Sequence, residues 1–201
     1  MRNYVSPLNG KGSAFSRDGI RGVMKRIVVL GNSGSGKSDL ARRMGVRLGF
    51  TVIHLDRIFW GPGWAAARRD AFRETVRKLA ADDAWIMDGN YQSSFEDRLE
   101  RADAVIFLDF PRWRCLFRLL WRVLSAAGQS RPDLPDGCRE TFIGNFELIR
   151  WMWGFPREDR RLILGKLDLH ARGKRVVILC NPGQVEDFLR NLLPTGGGIA
   201  A

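Results

Sequence analysis

Eight consecutive residues constrain this chain more than any others: Gly31-Asn32-Ser33-Gly34-Ser35-Gly36-Lys37-Ser38. They satisfy the pattern G-x-x-x-x-G-K-[ST] in full. A run rich in Ile and Val, 25–30, precedes them, and a helical pattern follows over 38–48 with Leu40, Ala41, Met44 and Leu48 on one face. Strand, glycine-rich turn, helix is the context in which this pattern cradles phosphate. The glycines let the backbone curl so that successive N–H groups point at phosphate oxygens. The start of the helix adds its partial positive charge. Lys37 then reaches the β and γ phosphates of ATP, and the Ser38 hydroxyl is placed to ligate Mg²⁺. The alternative is a Gly-Ser turn that fits by chance, and the flanking strand and helix argue against it.

Further along, short apolar runs alternate with longer helical patterns. Strands are expected at 25–30, 51–55, 84–87, 104–108 and 175–179. Helices are expected at 38–48, 65–81, 94–100, 111–126 and 185–193, with 138–172 mostly helical. Such alternation implies βαβ units: an α/β fold with a five-stranded parallel sheet and helices on both faces. The stretch 111–172 is too long for one crossover, so it reads as a helical insertion, or lid, between the fourth and fifth strands. Residues 1–23 and 195–201 read as tails around a domain spanning 24–194. Met24 stands directly before the first strand and is the expected natural start.

Composition narrows the function classes. The chain has 201 residues, no apolar run near the length a membrane helix needs, and no apolar stretch after its basic N-terminus that would mark export. Three cysteines, Cys115, Cys138 and Cys180, and two histidines, His54 and His170, do not make a metal-ligand or disulfide pattern. Reduced thiols without an export signal point to the cytoplasm. The net charge is +11, carried by 27 Arg and 6 Lys. Arginine suits bidentate contact with phosphate or carboxylate, but the charge alone fits nucleotides, nucleic acid or simple solubility.

Beyond the phosphate loop, the chain carries His54-Leu55-Asp56, Phe59-Trp60-Gly61-Pro62-Gly63-Trp64, Trp85-Ile86-Met87-Asp88-Gly89-Asn90-Tyr91 and Phe110-Pro111-Arg112-Trp113. Together with Lys25 to Ser38 these segments resemble the DNA topology modulation proteins, which are adenylate-kinase-like P-loop proteins. The resemblance covers about residues 24 to 190. It implies a carboxylate near Mg²⁺ at Asp88, and one at Asp56 that orients or deprotonates an acceptor hydroxyl. It implies that Arg118 covers the adenine and that Arg122 reaches phosphate. It also implies lid arginines over the transferred group, for which Arg131, Arg157, Arg160 and Arg161 are candidates. The residue-level alternatives are a turn-capping Asp88, a structural loop carboxylate at Asp56, packing for His54, and a solvated basic face for Arg114, Arg118 and Arg122. Adenylate kinases follow Asp-Gly with Phe-Pro-Arg, whose arginine holds the AMP phosphate. Asn90-Tyr91-Gln92 stands here instead, which speaks against AMP as the acceptor. Asp39 stands where the family pattern has a second hydroxyl residue. Trp60 and Trp64, on a loop, are the tryptophans best placed to stack on a ligand ring.

Two functions follow as expectations. The first is an ATP-dependent phosphotransferase whose acceptor is a nucleoside, nucleotide or other small molecule. The second is a nucleotide-dependent nucleic-acid-binding protein affecting DNA topology. No nucleic-acid recognition motif accompanies the positive charge, which favours the first.

Overall fold

Strand β1 (Arg26–Gly31) is buried on both faces, and its residues alternate between two cores. In the computed structural model, which describes residues 24–125, 159–171 and 173–192, Ile27 and Val29 enter one core and Val28 and Leu30 the other. That is what an apolar run at period two does when both faces of a sheet are covered. The other strands are β2 (Thr51–His54), β5 (Trp85–Asp88), β6 (Ala104–Leu108) and β7 (Arg175–Leu179). With β1 they form a five-stranded parallel sheet in the order β2-β5-β1-β6-β7.

On one face, Leu40, Ala41, Met44 and Leu48 of α1 (Lys37–Leu48) pack with Cys115 and Leu119 of α5 (Arg112–Ser125) and Phe188 and Leu189 of α7 (Pro182–Asn191). On the other, Leu55 of α2 (Leu55–Phe59) packs with Phe72, Val76 and Ala80 of α3 (Arg69–Ala80). Phe95 and Leu99 of α4 (Phe95–Arg101) and Ile163 and Leu167 of α6 (Asp159–His170) complete that core. The α/β class, the five parallel strands and the helices on both faces are those expected from the alternation of runs. No described helix is long and apolar enough to cross a membrane.

Several element boundaries differ from the sequence reading, three of them with a local cause. The segment expected as a helix from 65 begins with Ala65–Ala66 (β4), which pairs antiparallel with Trp60–Gly61 (β3); α3 starts only at Arg69. Alanine is the best helix former, but propensity is a weak determinant and the pairing with Trp60–Gly61 overrides it. Leu55 opens α2 and does not extend β2. The last helix starts three residues earlier than expected, because Asn181 and Pro182 form its cap and first turn. The expected tails, the centre of the insertion, Arg131 and Arg157 lie outside the described residues.

Candidate active site

The neighbouring strands β1 and β5 lead to helices on opposite faces of the sheet, α1 on one and α4 on the other, and at such a point α/β folds open a crevice at the carboxyl ends of the strands. Residues Gly31, Asn32, Ser33, Gly34, Ser35, Gly36, Lys37 and Ser38 leave β1 at that point. Gly34 and Gly36 have φ of 74° and 96°, a backbone region that other residues adopt only with strain. A Cβ at Gly34 would collide with the Cys115 carbonyl in the first turn of α5, so the loop tip lies directly against that helix. Gly36 caps α1 without any side-chain acceptor, and the first helical hydrogen bond runs from Leu40 N to Gly36 O at 3.0 Å. The first-turn N–H groups of α1 therefore face the crevice rather than a capping side chain, an arrangement suited to an anion. Ser35 Oγ is buried with no hydrogen-bond partner, a further donor facing the interior of the loop. Lys37 Nζ donates to the Asn32 carbonyl at 2.9 Å, which folds the lysine back over its own loop.

Arg118 projects from α5 to the same place. Its guanidinium lies over Gly36, with both Nη atoms 3.2–3.3 Å from where a Cβ would stand. The sequence expectation set Arg118 against the adenine; its guanidinium also reaches the phosphate loop itself. Arg118 borders a cleft of about 170 Å³ lined further by Phe110, Leu108, Pro182, Val185 and Asp39. That is well below the ~300 Å³ at which drug-sized pockets begin, so the cleft takes only part of a nucleotide. Arg43 and Glu186 close one side of it through a fork-to-fork ion pair, both N···O distances 2.6 Å. Arg122 lies one turn beyond Arg118 on α5, and its side chain is outside the described residues.

Asp88 ends β5 beside Val29 and His54, buried to 4% exposure. The His54 ring donates through Nδ1 to Asp88 Oδ1 at 2.6 Å. The histidine read from sequence as packing is therefore a partner of the candidate metal carboxylate. Asp56, in the first turn of α2, accepts a hydrogen bond from the Tyr91 hydroxyl at 2.6 Å. Burial, then the Asp56 charge, pushes the Tyr91 pKa far above its ordinary value, so Tyr91 is a permanent donor here. Tyr91 also packs on Phe59 and Phe72, and Trp64 meets Trp60 edge-on at 5.5 Å in the β3–β4 hairpin. Trp64 is 39% exposed and carries a left-handed φ of 63°.

Two residues that sequence reasoning passed over hold the site together. Asn90 accepts from Gly31 N at 3.1 Å and donates to Gly31 O at 2.7 Å, copying a strand's pairing with one side chain. Arg98 is completely buried behind this segment. Its position was legible: Phe95, Arg98 and Leu99 follow helical spacing, which puts the arginine on the apolar face of α4. Of the lid candidates, Arg160 pairs with Asp109 after β6, Nη2 to Oδ2 at 2.8 Å, and Arg161 is exposed.

No protein-family model and no curated protein matches the sequence. Solved structures do match in shape. A gluconokinase from Sinorhizobium meliloti 1021 superposes with a TM-score of 0.50 at 19% identity, over 84% of this chain and 89% of its own. A shikimate kinase from Acinetobacter baumannii, in complex with shikimate, superposes with a TM-score of 0.51 at 16% identity, over 85% and 91%. The fold is that of the P-loop kinases.

Proposed function

We propose that the protein is a small-molecule kinase that transfers the γ-phosphoryl group of ATP to a hydroxyl-bearing acceptor. The observation that carries this reading is the open start of α1, with Lys37 and Ser38 in its first turn and the buried Asp88 on the neighbouring strand. The two kinases of similar shape support it. The ATP phosphates would lie along residues 31–38, and the base would enter the cleft between Arg118 and Pro182. Ser38 and Asp88 would hold the accompanying Mg²⁺. One hydroxyl and one carboxylate suit an ion that keeps most of its waters and takes its other oxygens from the nucleotide. When bound, the metal neutralises charge on the β and γ phosphates. Arg118 lies where it adds positive charge beside the same phosphates, and Arg122 follows it on α5. Asp56 would orient the acceptor hydroxyl and take its proton, with Tyr91 fixing the carboxylate's direction. Catalysis of this kind rests on positioning and charge neutralisation and needs no covalent nucleophile.

On this reading the chain sits with the adenylate-kinase-like DNA topology modulation proteins, supported by the segments around Asp56, Asp88 and Pro111. The segment after Asp88 supports a substrate other than AMP, because Asn90-Tyr91-Gln92 stands where adenylate kinases have Phe-Pro-Arg and no arginine is present to hold the AMP phosphate. A screen of nucleosides, nucleotides and small polyols for ATP-dependent phosphorylation tests the proposal. Acceptor-stimulated ADP release is expected, falling at least about 100-fold in Lys37→Met. ADP release that no acceptor accelerates would overturn it. The net charge of +11 keeps nucleic acid as the second reading. DNA binding that weakens steeply with salt would support that reading, and no binding at low salt would remove it.

A further inference from the structure

Arg98 is an expensive residue to bury. It is fully enclosed, and among the described residues its guanidinium bonds to carbonyls rather than to a carboxylate. Burial pulls its pKa down to about 10, opposed by the nearby charge of Asp88, and it remains a cation at neutral pH. A methionine would fill the same space without desolvating a charge. What the guanidinium does instead is bind main chain: Nη1 donates to Gly89 O at 2.9 Å, Nη2 to Tyr91 O at 3.0 Å, and Nε to Ser94 O at 3.3 Å. Phe95 lies beneath it at 5.7 Å from ring centre to Cζ. Two of these carbonyls flank Asn90, whose amide grips Gly31 in the phosphate loop. The residue after Asn90 is Tyr91, whose hydroxyl holds Asp56.

We propose that Arg98 is a positioning residue that fixes the segment 89–91 as one rigid bridge between the phosphate loop and Asp56. Asn90 sets the backbone of Gly31, Tyr91 sets the carboxylate of Asp56, and Arg98 keeps the two in register. Nucleotide affinity therefore depends on Arg98 through Asn90, and a change at Tyr91, which touches only the Asp56 side, reaches the phosphate loop through the same bridge. The inference rests on the phosphate-site reading given above.

The test is calorimetric titration with the magnesium complex of the non-hydrolysable analogue β,γ-imido-ATP, on full-length proteins whose folding is verified by circular dichroism. Arg98→Lys keeps the charge but not the three-way fork, and is expected to weaken binding about tenfold. Asn90→Ala is expected to do the same, and the double variant to be no weaker than about either single one, since both break one connection. Losses that multiply in the double variant, or a folded Arg98→Lys with wild-type affinity, would overturn the bridge. Should Arg98→Lys fail to fold, Tyr91→Phe decides. It is expected to weaken the analogue about threefold in the wild type and not at all in Asn90→Ala; an unchanged affinity in Tyr91→Phe overturns the proposal. Absence of analogue binding by the wild type would instead remove the phosphate-site reading, and this inference with it.

Discussion

Asp39 is the residue that departs most visibly from a phosphate-friendly loop. A carboxylate one position after Ser38 adds negative charge beside the place where a triphosphate would lie. Yet Arg42 donates to it at 2.6 Å and Arg43 lies 3.9 Å away, so its charge is largely answered on the helix surface. Asp39→Thr is therefore expected to tighten nucleotide binding by at most about fivefold, the size of an exposed charge interaction; a calorimetric titration showing weaker binding would contradict this. At this scale the sequence was most legible where spacing alone carries the chemistry. The turn from Gly31 to Ser38 is legible from eight letters, because its conformation resides in the backbone that its glycines permit. Asn90 could not be assigned that way. Its role depends on Gly31 lying on a neighbouring strand, 59 positions earlier, a distance that no local pattern encodes. His54 was hidden for the same reason, since only the pairing of β2 with β5 brings it to Asp88.

Among the elements, α7 shows how a start signal can be present and still be missed. Asn181 Oδ1 accepts from Gln184 N at 2.9 Å, and Gln184 Oε1 accepts from Cys180 N at 2.6 Å, so the cap serves the third helical residue and that residue's side chain serves the N–H just before the cap. Apolar periodicity begins only at Val185, which is why the expected helix began there. Asn181→Ala is expected to cost about 1 kcal/mol in a denaturant melt, with Asn181→Ser restoring most of it. The hairpin of β3 and β4 was illegible for a different reason. Two alanines carry no strand signal, and their pairing is set by Ala67 N donating to Phe59 O at 2.7 Å and by the reversal through Trp64. By contrast, all five parallel strands were legible because a sheet covered on both faces favours short apolar runs, such as Ile27 to Leu30, Trp85 to Met87 and Ala104 to Leu108.

For the molecule as a whole, several of the arginines can be given an address. Among the described residues, Arg26, Arg42, Arg43, Arg73, Arg77, Arg160 and Arg190 each pair with a carboxylate, and Arg98 is interior. Arg26, Arg43, Arg73, Arg77 and Arg160 join separate elements, whereas Arg42 and Arg190 pair within their own helices. Arg26 and Asp103 illustrate this at the amino-terminal edge of the sheet. Asp103 accepts from the Arg26 guanidinium at 2.9 Å and from the backbone N–H groups of Lys25 and Arg26. Burial raises its pKa, but these donors outweigh it and the net shift is downward. A depressed carboxylate pKa stabilises the fold above the ordinary Asp range and loses that contribution as pH falls through the folded value. Asp103→Asn is thus expected to cost about 1 kcal/mol at pH 7, with the difference shrinking as pH falls through the lowered folded value; a difference that persisted undiminished in acid would contradict the assignment. The pair of Arg160 with Asp109 joins residues 51 positions apart, at the point where the chain leaves β6 and where it returns toward β7. A clasp at the two ends of so long an excursion makes its contour length thermodynamically cheap to alter: doubling a closed segment costs only about 0.6 kcal/mol. Residues can therefore be gained or lost between these two positions at small cost, while the sheet and residues 31–38 stay as they are.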